Sequence, residues 1–317
     1  MSRGDEGGQG LPRVVVLMAT YNGLPWIDEQ VDSILAQRGV DVRLLVSDDG
    51  SQDGTVDRLR ALAADDPRVE ILPRRAGPPG VTANFLHLFT AWKPTDDVYV
   101  AFSDQDDIWH EDKLETQVAL IRERGVDAVS SNVTSFDSRG RRRLIVKSQP
   151  QVRWDHIFEA AGPGSTYVFT PRMHRKLLGA LEEVDTSRIG VHDWFLYALT
   201  RGVGGTWHID SSSTVDYRQH GSNVQGEHAG ASAFRSRFRH MRSGYYREQF
   251  LLTADAVRGV GRDQLSVAEL GNLDLLRREL RDRSAGGRLA IAGRWREIRR
   301  KPVEGLQLVA ACLLGIW

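Results

Sequence analysis

RVVVLMATYNGLPWIDEQVDSILAQRGVDVRLLVSDDGSQDGT, residues 13–55, runs through the same pattern twice. Arg13 to Ala19 and Val42 to Ser47 are short apolar, β-branched runs, each of which reads as a fully buried strand of a parallel sheet. Each run ends in a polar turn, Thr20-Tyr21-Asn22-Gly23 in the first and SDDGSQDGT in the second. A helical stripe follows each turn: Ile27, Val31, Ile34 and Leu35, then Val56, Leu59 and Leu62. Pro25 suits a first-turn position and Gly39 lies just past the first helix. Strand, loop and helix repeated in this order predict an α/β fold with a doubly wound sheet.

The pattern continues outward. Val69 to Leu72 is a third short strand, Gly77 to Gly80 a Pro/Gly turn, Thr82 to Trp92 a helix, and Val98 to Phe102 a fourth strand that runs into Ser103-Asp104-Gln105-Asp106-Asp107. Ligands of open α/β sheets bind beyond the carboxyl ends of strands, so three polar loops converge on one edge. From Val126 the pattern is less regular. Val126 to Ser130 and Thr166 to Thr170 read as strands, Arg172 to Leu181 as a helix and Asp193 to Thr200 as the start of another; Arg235 to Arg258 and Leu265 to Arg283 read as amphipathic helices with basic faces. Met1 to Pro12, rich in Gly and polar residues, reads as a flexible tail. This divides the chain into a tail (1–12), a catalytic domain (13–228, halves at about 13–125 and 126–228) and a basic helical region (229–317).

Composition narrows the class. The 317 residues carry 42 Lys+Arg and 42 Asp+Glu, which argues against wholesale nucleic-acid binding. Cys312, the single cysteine, excludes an internal disulfide and a cysteine-built zinc site, and fits a reducing, cytoplasmic setting. No apolar run reaches the roughly 18 residues of a membrane span; Gly305 to Trp317 comes closest and could lie on a membrane or in a core. The balanced charge hides an asymmetry: Arg277 to Lys301 holds ten Lys/Arg against three acids, a net of +7, leaving −7 for the rest.

Part of that negative charge sits in Asp104-Gln105-Asp106-Asp107. Clustered carboxylates repel one another unless a cation or donors neutralise them, and hard oxygen ligands at a strand end suit Mg²⁺ or Mn²⁺ with bound phosphates. A solvated acidic loop capping the next helix, Glu111 to Arg122, is the other reading. Asp48-Asp49-Gly50-Ser51 allows turn chemistry as well as a carboxylate that accepts from a base or ribose. There is no Gly-x-Gly-x-x-Gly after the first strand, no Gly-Lys-Ser/Thr loop and no Gly-x-Ser-x-Gly elbow.

Six segments, VVVLMATYNG, LLVSDDGSQDGT, GVTANF, VAFSDQDDIWHEDKL, VHDWFLYAL and YRQHGSN, run in this order from about Val14 to Asn223. Together they resemble glycosyltransferase family 2, most closely its bacterial rhamnosyltransferase-like members. The resemblance implies the GT-A fold: a Rossmann-like, mostly parallel central sheet flanked by helices, here with a C-terminal helical extension. It also implies that Thr20, Tyr21 and Asn22 with Asp48 and Asp49 hold the base and ribose of a nucleotide sugar, Asp48 being the better candidate for the base, and that Asn84 lines the same pocket. Asp104, Gln105 and Asp106 match the family's Asp-x-Asp element, with Asp106 as metal ligand, Asp104 on ribose or a metal-bound water, and His220 completing the shell of Mn²⁺ or Mg²⁺. Asp193 corresponds to the general base, flanked by His192 and Trp194 on the acceptor side; Trp194 is either core or a sugar-stacking platform.

The implied reaction is inverting transfer from a dTDP- or UDP-linked sugar, with dTDP-L-rhamnose favoured, to a glycan or lipid-linked glycan of the cell envelope. Such work belongs at the inner face of the plasma membrane, and the basic helices allow peripheral membrane contact or a homodimer interface. A metal-dependent phosphatase or nucleotidyltransferase, and a non-catalytic carbohydrate-binding relative, are the competing readings.

Overall fold

The computed structural model describes residues 10–93, 97–220 and 243–317. Its first half alternates as the sequence predicts: β1 (Arg13–Thr20), α1 (Ile27–Leu35), β2 (Asp41–Asp48), α2 (Thr55–Asp65), β3 (Val69–Ile71), α3 (Val81–Ala91) and β4 (Val98–Ser103). β1 lies between β2 and β4, parallel to both, with Leu17 opposite Leu45 and Phe102. Its continuous apolar run supplies both faces of the sheet, because successive side chains alternate. Val14, Val16 and Met18 join Ile27, Val31, Ile34 and Leu59 on one face, while Val15 and Leu17 join Phe85, Phe89 and Phe102 on the other.

The second half comprises β5 (Ile108–Trp109), α4 (Lys113–Arg124), β6 (Ala128–Asp137), β7 (Arg142–Ile145), α5 (Asp155–Phe158), β8 (Val168–Phe169), α6 (Pro171–Glu182), α7 (His192–Gly202) and β9 (Trp207–Gln219). The sheet order is β3-β2-β1-β4-β8-β6-β9-β5, with β7 paired to β6. Here the sheet departs from a mostly parallel one: β8 is antiparallel to both β4 and β6, β6 and β9 are parallel, and β5 is antiparallel to β9. Residues 104–107 alone join β4 to β5, although three strands separate the two in the sheet. Flat, that separation would be about 19 Å, whereas the link extends to about 17 Å at most. The sheet therefore curls, and its curl folds the far edge over the acidic loop. β9 was not anticipated because its WHIDSSSTVDYRQ sequence is polar and half-exposed, without an apolar run.

α8 (Tyr245–Val260), α9 (Val267–Arg281), α10 (Ala285–Gly293) and α11 (Pro302–Leu313) follow. Residues 235–242 of the first expected basic helix lie outside the described residues. These helices build a third core, in which Phe250, Leu273, Leu280, Ile291, Val309 and Trp317 meet Phe158, Trp194 and Ala198. Much of the basic charge is tied into ion pairs here: Arg277 with Asp255 and Asp274, Arg281 with Asp255, Arg294 with Glu279 and Glu297. Among the described residues no helix is long and apolar enough to cross a membrane.

Arg300 locks this region to the sheet domain. Its fully buried guanidinium lies 3.2 Å from both Asp155 Oδ2 and Glu159 Oε2 and donates to the Ala160 carbonyl oxygen at 2.6 Å. Removing one partner of a buried pair leaves the other charge uncompensated. Arg300→Ala is expected to cost about 3–5 kcal/mol in urea unfolding; a loss below about 1 kcal/mol, the range of an exposed pair, would contradict this role.

Candidate active site

The β1 and β2 loops are knitted together by their own side chains. Thr20 Oγ1 donates to Asp48 Oδ2 at 2.8 Å, and Asp48 also accepts from the Gly50 and Ser51 backbone N–H groups and the Ser51 hydroxyl. Asn22, in the left-handed region at φ 51°, receives Gln52 N–H on its Oδ1 and donates its own N–H to Ser51. Gln105 exchanges two hydrogen bonds with the Tyr21 backbone, and a Cβ at Gly23 would lie 2.3 Å from its Oε1, so any larger residue there would displace the Gln105 side chain. Thr20, Asn22, Asp48 and Gln105 thus shape the loops, while the Tyr21 ring stays exposed above them.

Asp49 differs from Asp48. One oxygen accepts from Arg75 at 2.8 Å and from Gly80 N–H, while the other, Oδ1, is buried without a partner. Asn84 donates its amide to the Ser47 carbonyl oxygen at 2.8 Å, and its Oδ1 too is buried and unpartnered. Two buried acceptors without donors are costly in a finished structure. Both bare oxygens lie on the β2–α3 side, where they are free to accept from a ligand's donors, whereas Asp48 is already saturated. Arg75 escaped the sequence reading; its only signal is a basic pair heading a Pro/Gly turn.

The acidic loop lies under the curled edge. Asp106 Oδ2 is 2.8 Å from His220 Nε2, whose ring stacks on Trp26 at 3.9 Å, and the Arg218 guanidinium holds the Asp106 carbonyl oxygen at 2.9 Å. Burial pushes the Asp106 carboxyl up, with His220 and Arg218 opposing. Asp104 is pushed up to about 8 by burial and then by the charges of Asp106 and Asp193. Asp107 is wholly buried; its N–H donates to Gln30 Oε1 and its Oδ1 accepts from Arg218 N–H. Lys113, equally buried, lies 3.6 Å from the centre of the Trp109 ring, and the Asp107 charge partly offsets its desolvation.

Among the described residues no three acidic, histidine or cysteine side chains form a ready-made cation cluster. Asp104, Asp106 and His220 nevertheless suit Mn²⁺ or Mg²⁺: two under-neutralised carboxylates and an imidazole leave room for waters and phosphate oxygens, as such ions require.

Asp193 opens α7 from the opposite wall. Its Oδ2 accepts from Gly164 N–H at 3.1 Å and its Oδ1 from Trp194 N–H at 2.6 Å. A Cβ on Gly164 would meet His192 Nε2 at 2.9 Å and Asp193 Cβ at 3.3 Å, so glycine is needed for this approach. Burial raises the Asp193 carboxyl to about 6 despite both N–H donors and the nearby Lys147. Lys147, whose charge is felt at Asp193, carries no sequence signal, since the stretch around it has no periodicity.

Both flanking residues turn inward. His192 stacks on Phe85 at 3.9 Å and burial lowers it to about 3, so it is a neutral core ring. Trp194 is 7% exposed, donates to the His156 carbonyl oxygen at 3.0 Å and packs on Phe250. A helix that aims Asp193 into the cleft turns its neighbours into the core, so neither offers an open surface to an acceptor sugar.

The curled sheet with carboxylates beyond β4 and at the start of α7 defines a glycosyltransferase of the GT-A type. The chain belongs to glycosyl transferase family 2, whose model matches residues 15–180. It is 35% identical over 263 residues to the dTDP-rhamnosyl transferase RfbG of Shigella flexneri, covering 81% of this chain and 91% of that one. It is 31% identical over 159 residues to the UDP-Glc:alpha-D-GlcNAc-diphosphoundecaprenol beta-1,3-glucosyltransferase WfgD of Escherichia coli, half of this chain and 60% of that one. Staphylococcus aureus TarS 1–349, solved in complex with UDP, shares the fold over 96% of this chain and 88% of its own, with a TM-score of 0.55 at 14% identity.

Proposed function

We propose that the protein is an inverting, metal-dependent glycosyltransferase that moves L-rhamnose from dTDP-L-rhamnose to a hydroxyl of a lipid-linked glycan. The observation that carries this reading is Asp193: a carboxylate fixed by two backbone N–H groups, raised to about 6, and close enough to Asp104 across the cleft for its charge to be felt there. A base so placed accepts the proton of an acceptor hydroxyl as that oxygen attacks the anomeric carbon and the nucleoside diphosphate departs from the opposite face. No covalent enzyme intermediate is needed. A divalent cation held by Asp106, Asp104 and His220 would supply charge neutralisation at the departing diphosphate.

Asp49 Oδ1 is the acceptor for a base N–H, with Arg75 holding the other oxygen in place, and Asn84 lines the same pocket. The Tyr21 ring covers the base, and Thr20, Asn22, Asp48 and Gln105 keep the loops in shape around it. Similarity to a dTDP-rhamnosyl transferase over most of both chains supports the donor; the diphosphoundecaprenol acceptor named for the second relative supports a lipid-linked glycan, and with it work at the membrane's inner face.

The test is calorimetric titration with dTDP, UDP and GDP, each with and without Mn²⁺. Metal-dependent binding of dTDP ahead of UDP and GDP is expected, and Asp49→Asn, which reverses one acceptor into a donor, is expected to weaken it at least tenfold. Equal or absent binding of all three would overturn the donor assignment.

A further inference from the structure

We propose that Arg247, Arg283 and Arg288 form a binding site for a phosphate or diphosphate group in the C-terminal helical region, separate from the cleft of Asp104 and Asp193. The three arginines line a cavity of about 230 Å³ between the start of α8, at Ser243 and Gly244, and the chain's last residues, Gly315 to Trp317. Small-molecule pockets run to roughly 300–1,000 Å³, so this one suits a small anion.

Arg247 makes the case. It is 3% exposed, yet its Nε and Nη1 have no partner, while the guanidinium carbon lies 5.5 Å from the centre of the Trp317 ring. A buried cation with unsatisfied donors is costly unless a ligand completes it. No acidic side chain lines the cavity among the described residues. Acids nearby have partners of their own: Asp255 with Arg277 and Arg281, Glu248 with Arg188, and Asp282, which also feels the Arg247 charge, with Ser284 N–H. Among the described residues Arg288 reaches only backbone carbonyl oxygens, of Arg283 at 3.3 Å and Leu313 at 3.4 Å. Burial, and then the charges of Arg283 and Arg288, hold the Arg247 guanidinium below its usual range against the opposing influence of Cys312. The N-terminus of the 16-residue α8 adds its partial positive charge at the same place.

The surroundings suggest where the phosphate comes from. Leu289, next to Arg288 in the chain, and Leu313, whose carbonyl oxygen Arg288 reaches, are exposed, which puts apolar surface near the arginines. The same end of α8 holds the loop before Asp193, through Gln249 Oε1 on Gly190 N–H at 2.8 Å and the Glu248–Arg188 pair. The phosphate of a lipid and a soluble phosphate share the chemistry; the anion site stands on these residues whichever reaction the cleft performs.

The full chain would be titrated with inorganic diphosphate in EDTA, which removes divalent-dependent binding at Asp106. It would also be sedimented with phosphatidylcholine vesicles with and without phosphatidic acid. Arg283→Ala/Arg288→Ala, exposed or half-exposed positions that spare the fold, would be compared with Arg278→Ala/Arg296→Ala, which removes the same charge elsewhere on the surface. At least tenfold weaker binding in the first variant alone is expected. Loss on phosphatidic acid vesicles identifies a lipid headgroup, and loss with diphosphate alone a soluble phosphate. Equal binding by the two variants, or no binding of either probe by the wild type, overturns the site.

Discussion

Asp193→Asn is expected to lower kcat by about 10²–10⁴-fold, the usual contribution of a positioned general base, while leaving nucleotide-sugar affinity unchanged. The asparagine keeps one oxygen for Gly164 or Trp194 N–H and turns its NH2 to the other, so one of the two contacts goes with the proton acceptor while the size and place of the side chain are kept. In the wild type, activity should fall as pH drops through about 6, where the carboxylate takes up its proton, and the variant's residual rate should lack this limb. Stability moves the other way. A folded-state carboxyl raised above its unfolded value makes ionisation unfavourable to the fold, so the penalty is present above about pH 6 and gone below the unfolded value near 3.8. The stability of Asp193→Asn relative to wild type should therefore rise between pH 3.5 and pH 8, by up to about 3 kcal/mol, because each tenfold change in proton affinity is worth about 1.4 kcal/mol. A variant that loses activity with unchanged pH dependence, or whose stability relative to wild type does not rise with pH, would remove Asp193 from the base role.

Asp106→Ala should show the complementary pattern. Donor binding that depends on Mn²⁺ is expected to fall by at least the 10–100-fold that loss of an outer-shell partner of a metal costs, while metal-independent nucleotide affinity stays the same. His220 loses its 2.8 Å partner at the same time, so His220→Ala should give a smaller loss of the same kind. Calorimetry of dTDP with and without Mn²⁺ distinguishes the two carboxylates: Asp193→Asn binds donor like wild type and does not turn over, whereas Asp106→Ala fails at binding. Equal loss of donor affinity in both variants would contradict the division of labour.

The Rossmann-like half was legible from Arg13 to Ser103 because each element there is local. An apolar run long enough for one strand, a polar turn and a 3.6-residue stripe depend on neighbours in sequence. The acidic loop could be read for the same reason: its carboxylates are adjacent in the chain. Its cost could not, because burial of Asp104 and Asp107 depends on β9 and β5 closing over them, and β9 carries no apolar periodicity.

Sequence by itself determined the α/β class, the strand-end loops and the family, and singled out Asp104, Asp106, Asp193 and His220 by motif. Tertiary structure alone decided which of the singled-out residues face the cleft. Asp193 points in while His192 and Trp194 turn to the core, because consecutive helical residues lie about 100° apart and only one of the three can face a given wall. Asp48 is saturated by its own turn while Asp49 keeps a bare oxygen, because successive residues at a strand's end point to opposite sides. Lys147 beside Asp193, Arg75 on Asp49 and the arginines around Arg247 come from segments far apart in the chain. Charge at such distances enters no local pattern and takes effect only once the fold has brought the groups together.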